Sequence, residues 1–210
     1  MPNTFTHTFT IEKHINCPQC ADTLPLYFKH TKLLQCNSCK SSIFLENDAT
    51  KLAGDSSVLA PEVSILTLNR AFFYDHKSYL PLGKIRYSYG RGFWEEWWVK
   101  DIQNNEYWLS IDEGDLVLQQ KTQMHYDNNI VEHLSLGDVL NNEWIVTEVG
   151  TATCEGYEGA LPKHIAIGSS YKYVHLSGKD AKLLTLEYAQ NIIEGYEGKW
   201  ISPFDIGSVH

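Results

Sequence analysis

Two Cys-x2-Cys pairs, Cys17/Cys20 and Cys36/Cys39, stand fifteen residues apart in a chain of 210. Two cysteines three apart can aim both thiolates at one ion from a tight turn. Two such turns complete a tetrahedron with metal–sulfur bonds of roughly 2.3 Å. Pro18 pre-sets the first turn. Between the pairs Leu24, Leu26 and Phe28 alternate, and residues 32–35 lead back, the hairpin of a zinc ribbon. A single pair would also fit a redox site; two pairs at ribbon spacing point to metal. Many ribbons place Gly just after the second cysteine of a pair. Ala21 and Lys40 stand there in this chain, so both turns must accept a side chain. Four thiolates leave no open coordination position, so the expected cofactor is one structural Zn2+ per chain, held by Cys17, Cys20, Cys36 and Cys39. A module this small lacks an apolar core of its own, and zinc binding of roughly 10–16 kcal/mol supplies its stability.

The ribbon is assigned to residues 11–45. Residues 46–60 are polar and without periodicity, and read as a linker containing Asn47, Asp48, Gly54 and Asp55. Residues 61–210 form the main body. It is β-rich. Ile85, Tyr87 and Tyr89 alternate with Arg86 and Ser88, the period of a half-buried strand. Further strands are predicted over 93–99, 107–111, 116–118, 143–149, 164–167 and 171–176. Segment 183–188 fits a helix face or a strand equally well. Turn signals every 8–12 residues predict an antiparallel sandwich or barrel-like body. Glu-Gly-Tyr-Glu-Gly occurs at 155–159 and again at 194–198, from an internal duplication or by chance.

Four of the six tryptophans, Trp94, Trp97, Trp98 and Trp108, fall close together. The run Arg86-Tyr87-Ser88-Tyr89-Gly90-Arg91-Gly92-Phe93-Trp94-Glu95-Glu96-Trp97-Trp98, then Tyr107-Trp108-Leu109-Ser110 and Asp112-Glu113-Gly114-Asp115, resembles the bacterial domain of unknown function 4178 family. Leu82-Gly83 fits its start. Glu158-Gly159-Ala160-Leu161-Pro162 with Tyr171-Lys172-Tyr173 looks like its second block, and Leu186-Glu187-Tyr188 with residues 194–198 like its last. The resemblance covers about residues 60–205. Members often carry an N-terminal zinc ribbon. The family has no established activity. Its genomic setting among phage-shock-like coat proteins and other membrane-stress factors implies an adaptor.

The net charge is −9. Residues 1–45 carry a formal +2, which leaves −11 on the rest. An acidic body repels phosphate backbones and argues against general nucleic-acid binding. The chain has no apolar run of transmembrane length and no secretory leader, so it is expected to be cytoplasmic. No phosphate-binding glycine loop or nucleophile elbow occurs. Asp112, Glu113 and Asp115 lack the ligand spacing of a calcium loop and read as an acidic turn. Cys154 has no nucleophile signature around it and reads as a buried thiol. Glu95 and Glu96 are strand neighbours on opposite faces, so they cannot act on one atom.

The function expected is therefore a non-enzymatic protein-binding adaptor, its partner a protein such as a membrane-stress coat protein. The tryptophans are either core or a binding platform. In the second case Trp97 is the anchor, accompanied by Trp94, Glu95 and Trp108. The alternatives are a hydrolase-like enzyme with a cleft in the body, or nucleic-acid binding through Lys29, His30, Lys32 and Lys40 of the ribbon.

Overall fold

The computed structural model describes residues 9–46, 49–53, 57–127, 131–189 and 192–208. Asn47, Asp48, Gly54 and Asp55 of the expected linker lie outside them. The ribbon is built from a hairpin, β1 (Lys13–Asn16) and β2 (Thr23–Leu26), and a second sheet, β3 (Leu33–Gln35), β4 (Ser42–Glu46) and β5 (Ala49–Leu52). The last strand corrects the reading of residues 46–60 as a linker. β5 pairs with β4, Ile43 opposite Leu52. Gln35 Nε2 donates to the Ser57 carbonyl at 2.6 Å, and the Ser57 hydroxyl accepts the Tyr157 N–H at 2.6 Å. A polar composition concealed these pairings because backbone ladders and buried hydroxyls need no apolar periodicity.

The body continues with β6 (Phe72–Tyr74), β7 (Lys77–Ser88), β8 (Phe93–Asp101), β9 (Glu106–Asp112), β10 (Asp115–Lys121), β11 (Val139–Leu140), β12 (Trp144–Leu161), β13 (Ser170–Ser177), β14 (Lys182–Ala189), β15 (Ile192–Ile201) and β16 (Gly207–Ser208). A 3-10 turn, Pro203–Asp205, precedes β16. β7 to β10 form one meander and β12 to β15 another. They join through β10–β15 and β7–β12, and so close an eight-stranded antiparallel barrel. Closure removes the sheet edges a sandwich would leave. Segment 183–188 is strand. Residues 164–167, predicted as strand, are instead loop. β12 runs on to Leu161, Pro162 follows, and Gly168 in a left-handed turn donates its N–H to the Cys154 carbonyl at 2.8 Å. The repeated pentapeptide lies on β12 and β15, the first and last strands of one meander, and so not on matching strands of two copies.

β12 is the long element that ties the molecule together. Val146 to Thr153 pair with β13, Thr153 to Gly159 with β7, and Ala160 and Leu161 with Leu34 and Leu33 of the ribbon. Where β12 leaves the barrel it crosses β7 closely. A Cβ on Gly83 would lie 2.0 Å from the Ala160 carbonyl oxygen, so only glycine fits.

The barrel's outside is covered in two places. Phe72, Tyr74, Leu66 and Ile201 pack over Trp97, Val99 and Leu109 on β8 and β9. Val131 and Leu140 pack over Trp144, Leu176 and Leu184 on the second meander. The third core is shared between ribbon and barrel: Leu24, Leu26, Phe28, Leu33 and Ile43 join Leu82, Ile85, Trp94 and Trp98. No helix among the described residues is long and apolar enough to cross a membrane.

Candidate functional site

The two cysteine turns have the same geometry. In the first, Ala21 N–H donates to Cys17 O and Cys17 N–H to Asp22 O, both at 2.8 Å. In the second, Lys40 N–H donates to Cys36 O at 3.0 Å and Cys36 N–H to Ser41 O at 2.9 Å. Each turn needs a left-handed residue after its second cysteine, and Ala21 (φ 62°) and Lys40 (φ 61°) take that conformation without being glycine. The four Sγ atoms lie within 4.8 Å of one another. Cys17–Cys39 and Cys20–Cys36 are 3.6 and 3.7 Å apart. A tetrahedron with metal–sulfur bonds of roughly 2.3 Å has edges of roughly 3.8 Å. The residues present therefore fit a tetrahedral four-thiolate ion. Hydrogen bonding from Ser41 lowers the Cys39 thiol to about 6, whereas Cys20 is raised to about 12 and burial raises Cys36, so of these three thiols Cys39 alone is drawn toward the thiolate a metal requires.

The residues read as a partner surface are buried. Trp97 is 2% exposed, beneath β6 and the C-terminal segment, and so is no exposed anchor. Glu95 is buried on the same outer face, accepting from Arg86 Nη2 at 2.8 Å, Lys84 Nζ at 3.2 Å and Trp97 Nε1 at 3.2 Å. Trp94 and Trp108 are buried on the opposite, inner face. Both faces of β8 carry aromatic bulk because both are covered, the outer one by chain segments with no distinctive sequence signal.

Inside the barrel, polar side chains mix with the aromatic ones. At the end bordered by the β7–β8 and β9–β10 turns, a cavity of about 80 Å³ is lined by rings and carboxylates. Tyr89 and Trp94 have ring centroids 5.6 Å apart; Trp94 and Tyr173 are 5.2 Å apart and cross at 74°. Each ring's polar atom meets a carboxylate. Tyr89 OH donates to Asp112 at 3.4 Å, Trp94 Nε1 to Glu96 at 3.2 Å, and Tyr173 OH to Glu148 at 2.8 Å. His175 Nδ1 lies 3.0 Å from Glu148. Burial raises the Asp112 carboxyl, and Glu113 adds to the rise. Hydrogen bonds from His175 and Tyr173 lower Glu148.

The opposite end is capped by the ribbon. Phe28 stacks at a tilt on Trp98, centroids 5.0 Å apart, and His30 bridges to Glu106 at 2.9 Å.

A family model, the domain of unknown function DUF4178, matches residues 69–203. The chain belongs to this family. No curated protein and no solved structure matches it. The DUF4178 match takes in every strand of the barrel and leaves the cysteine turns outside.

Deeper within the DUF4178 barrel is a second polar layer. Lys163 Nζ lies 3.3 Å from Glu187 Oε2, and Glu96 faces the same pair. Burial and the Glu187 charge raise Glu96 to about 7, while Lys163 pulls it down. Cys154 is buried, and burial lifts its thiol to about 11, so it holds no thiolate at neutral pH. Glu95 and Glu96 point to opposite faces, outer and inner. Sequence reasoning passed over Glu148 and His175 and named Tyr173 only within a family block; all three lie in the second meander. Inward periodicity marks them as one face of β12 and β13, but only closure of the barrel brings that face to Trp94.

Proposed function

We propose that this protein is a non-enzymatic binding module whose recognition site is the open barrel mouth, and whose metal is a structural zinc. The four thiolates favour a soft, tetrahedral ion, and a set of four leaves no position for substrate. Zinc in this reading stabilises the ribbon that caps the far end of the barrel. The observation that carries the binding role is the mouth itself: Asp112, Asp115 and Glu148 line it at the surface, with His175 as the sole basic side chain among its lining residues. A partner with a basic segment is complementary to that surface, in keeping with the acidic body as a whole. Thiol chemistry is disfavoured because burial raises the Cys154 thiol to about 11 and, among the described residues, its sulfur makes a hydrogen-bond contact only with the Gly156 carbonyl at 3.9 Å. Nucleic-acid binding through the ribbon is disfavoured because His30 pairs with Glu106 at 2.9 Å and the ribbon's small positive charge sits on a body with a formal −11.

Binding of the full chain to a set of lysine-rich and lysine-free peptides tests this. The expected result is capture of lysine-rich peptides, weakened by salt and by the double change Asp112→Asn, Glu148→Gln. Capture indifferent to that double change would sink the reading. Metal analysis of freshly purified, reduced protein should give one zinc per chain.

A further inference from the structure

We infer that the barrel mouth binds an alkylammonium head group, held in the corner formed by Tyr89, Trp94 and Tyr173. This rests on the reading of the mouth as the recognition site and names the chemistry that enters it. Three observations converge. The first is the corner. Trp94 and Tyr173 stand nearly perpendicular, Tyr89 lies tilted by 30° to Trp94 with centroids 5.6 Å apart, and the cavity borders all three rings. Ring faces are negative, so a cation placed against two walls gains from both.

The second is the pairing of rings with carboxylates. Asp112, Glu96 and Glu148 each accept from one of the three rings. A donor bound to a carboxylate shifts electron density into its ring, which strengthens attraction for a cation. The same arrangement keeps Asp112 and Glu148 beside the cavity, where they add direct attraction at short range. Glu96 is 8% exposed, and Trp94 Nε1 contacts one of its two oxygens.

The third is size. About 80 Å³ suits a head group of a few heavy atoms, against the roughly 300–1,000 Å³ of sites for drug-sized ligands. A metal ion is a poor match. Among the described residues, the four cysteines are the one group of three or more ligand atoms near enough to share an ion. Organic ammonium needs no such convergence, because ring faces take up its spread charge. An alkylated ammonium fits better than a bare one, since its methyl groups lose less hydration on entering an aromatic corner.

Calorimetric and tryptophan-fluorescence titration of the full chain with choline and with its neutral isostere 3,3-dimethylbutan-1-ol tests the inference. Expected is saturable choline binding, at least tenfold tighter than the alcohol, with roughly fivefold weakening in Tyr89→Leu and a smaller weakening in Tyr89→Phe, which keeps the ring but loses the hydrogen bond to Asp112. Thermal melting of each variant controls for loss of fold. Equal binding of the alcohol, or no saturable choline binding at millimolar concentrations, overturns the inference. A trimethyllysine peptide that competes with choline ties the site to a protein-borne ammonium; choline binding that no such peptide displaces ties it to a free amine, and both support the ammonium chemistry. If lysine-rich peptides bind through Asp112 and Glu148 yet choline does not bind, the ammonium corner fails while the mouth stands.

Discussion

Lys100, on barrel strand β8, donates its ammonium to the carbonyl oxygen of Tyr27 in the ribbon at 3.3 Å. The same Nζ donates to Thr10 O at 3.2 Å and sits 4.7 Å from the Phe28 ring centroid. The residue is 0% exposed. A lysine continuing the inner face of a barrel strand thus becomes the latch for the cap. Lys100→Met keeps the volume and removes the donor, leaving two carbonyls short of a partner. Loss of about 1–3 kcal/mol is expected, with earlier proteolytic cleavage within residues 9–30. Urea unfolding and limited proteolysis check it; unchanged values for both would show the contact to be incidental.

Cys36→Ser should release the metal and lower the melting temperature of the whole chain. A linker at residues 46–60 would leave ribbon and body independent, but Leu33, Phe28 and Ile43 share one core with Trp98 and Ile85. Calorimetry checks this: a single transition moved downward is expected, whereas a barrel transition that stays in place would mean that the shared core contributes little.

Ala21→Gly and Lys40→Gly should each stabilise the protein. A side chain at left-handed φ costs roughly 1–2 kcal/mol, and glycine's greater unfolded entropy offsets roughly 0.5–1 kcal/mol of that. The expected net gain is about 0.5–1 kcal/mol per site. Denaturation midpoints of the metal-loaded protein measure it, and a fall in midpoint would refute the strain.

Glu96 makes stability depend on pH. Its folded value of about 7 lies above the unfolded 4.5, so the folded state holds the proton more tightly. The resulting stability is complete below about 4.5 and is lost as pH rises through about 7. At 1.36 kcal/mol per pH unit the full effect is up to about 3 kcal/mol. Glu187 and Lys163 face the same proton, so the titration belongs to the group. Glu96→Gln should melt higher than the parent at pH 8 and show a flatter profile between pH 5 and 8. Parallel profiles for the two proteins would contradict this.

The cysteine spacing was legible because a tetrahedral ion permits few chain arrangements, and the fold brings those four sulfurs together. The strands of β8, β9 and β10 were legible because alternation and turn residues are local. What was not legible depended on distant partners. Nothing near Trp97 announces that Phe72 and Tyr74 cover it. The 46–60 segment looks polar because its strand pairs through backbone and its Ser57 bonds across to Tyr157. Glu148 and His175 gained meaning only when β12 closed on β7 and carried β13 round to Trp94.

The shared strand β12 also sets an order of events during synthesis. Leu33 and Leu34 pair on one side with Phe44 and Ile43 of the ribbon itself, but the partners on their other side, Leu161 and Ala160, belong to β12. A ribosome adds roughly 5–20 residues per second, so the N-terminal module waits on the order of ten seconds for that strand to emerge. Through that interval its cysteines are displayed without the barrel behind them. Capture of metal by the nascent chain, ahead of any barrel, would hold the first module in a form ready to receive the strand that completes it.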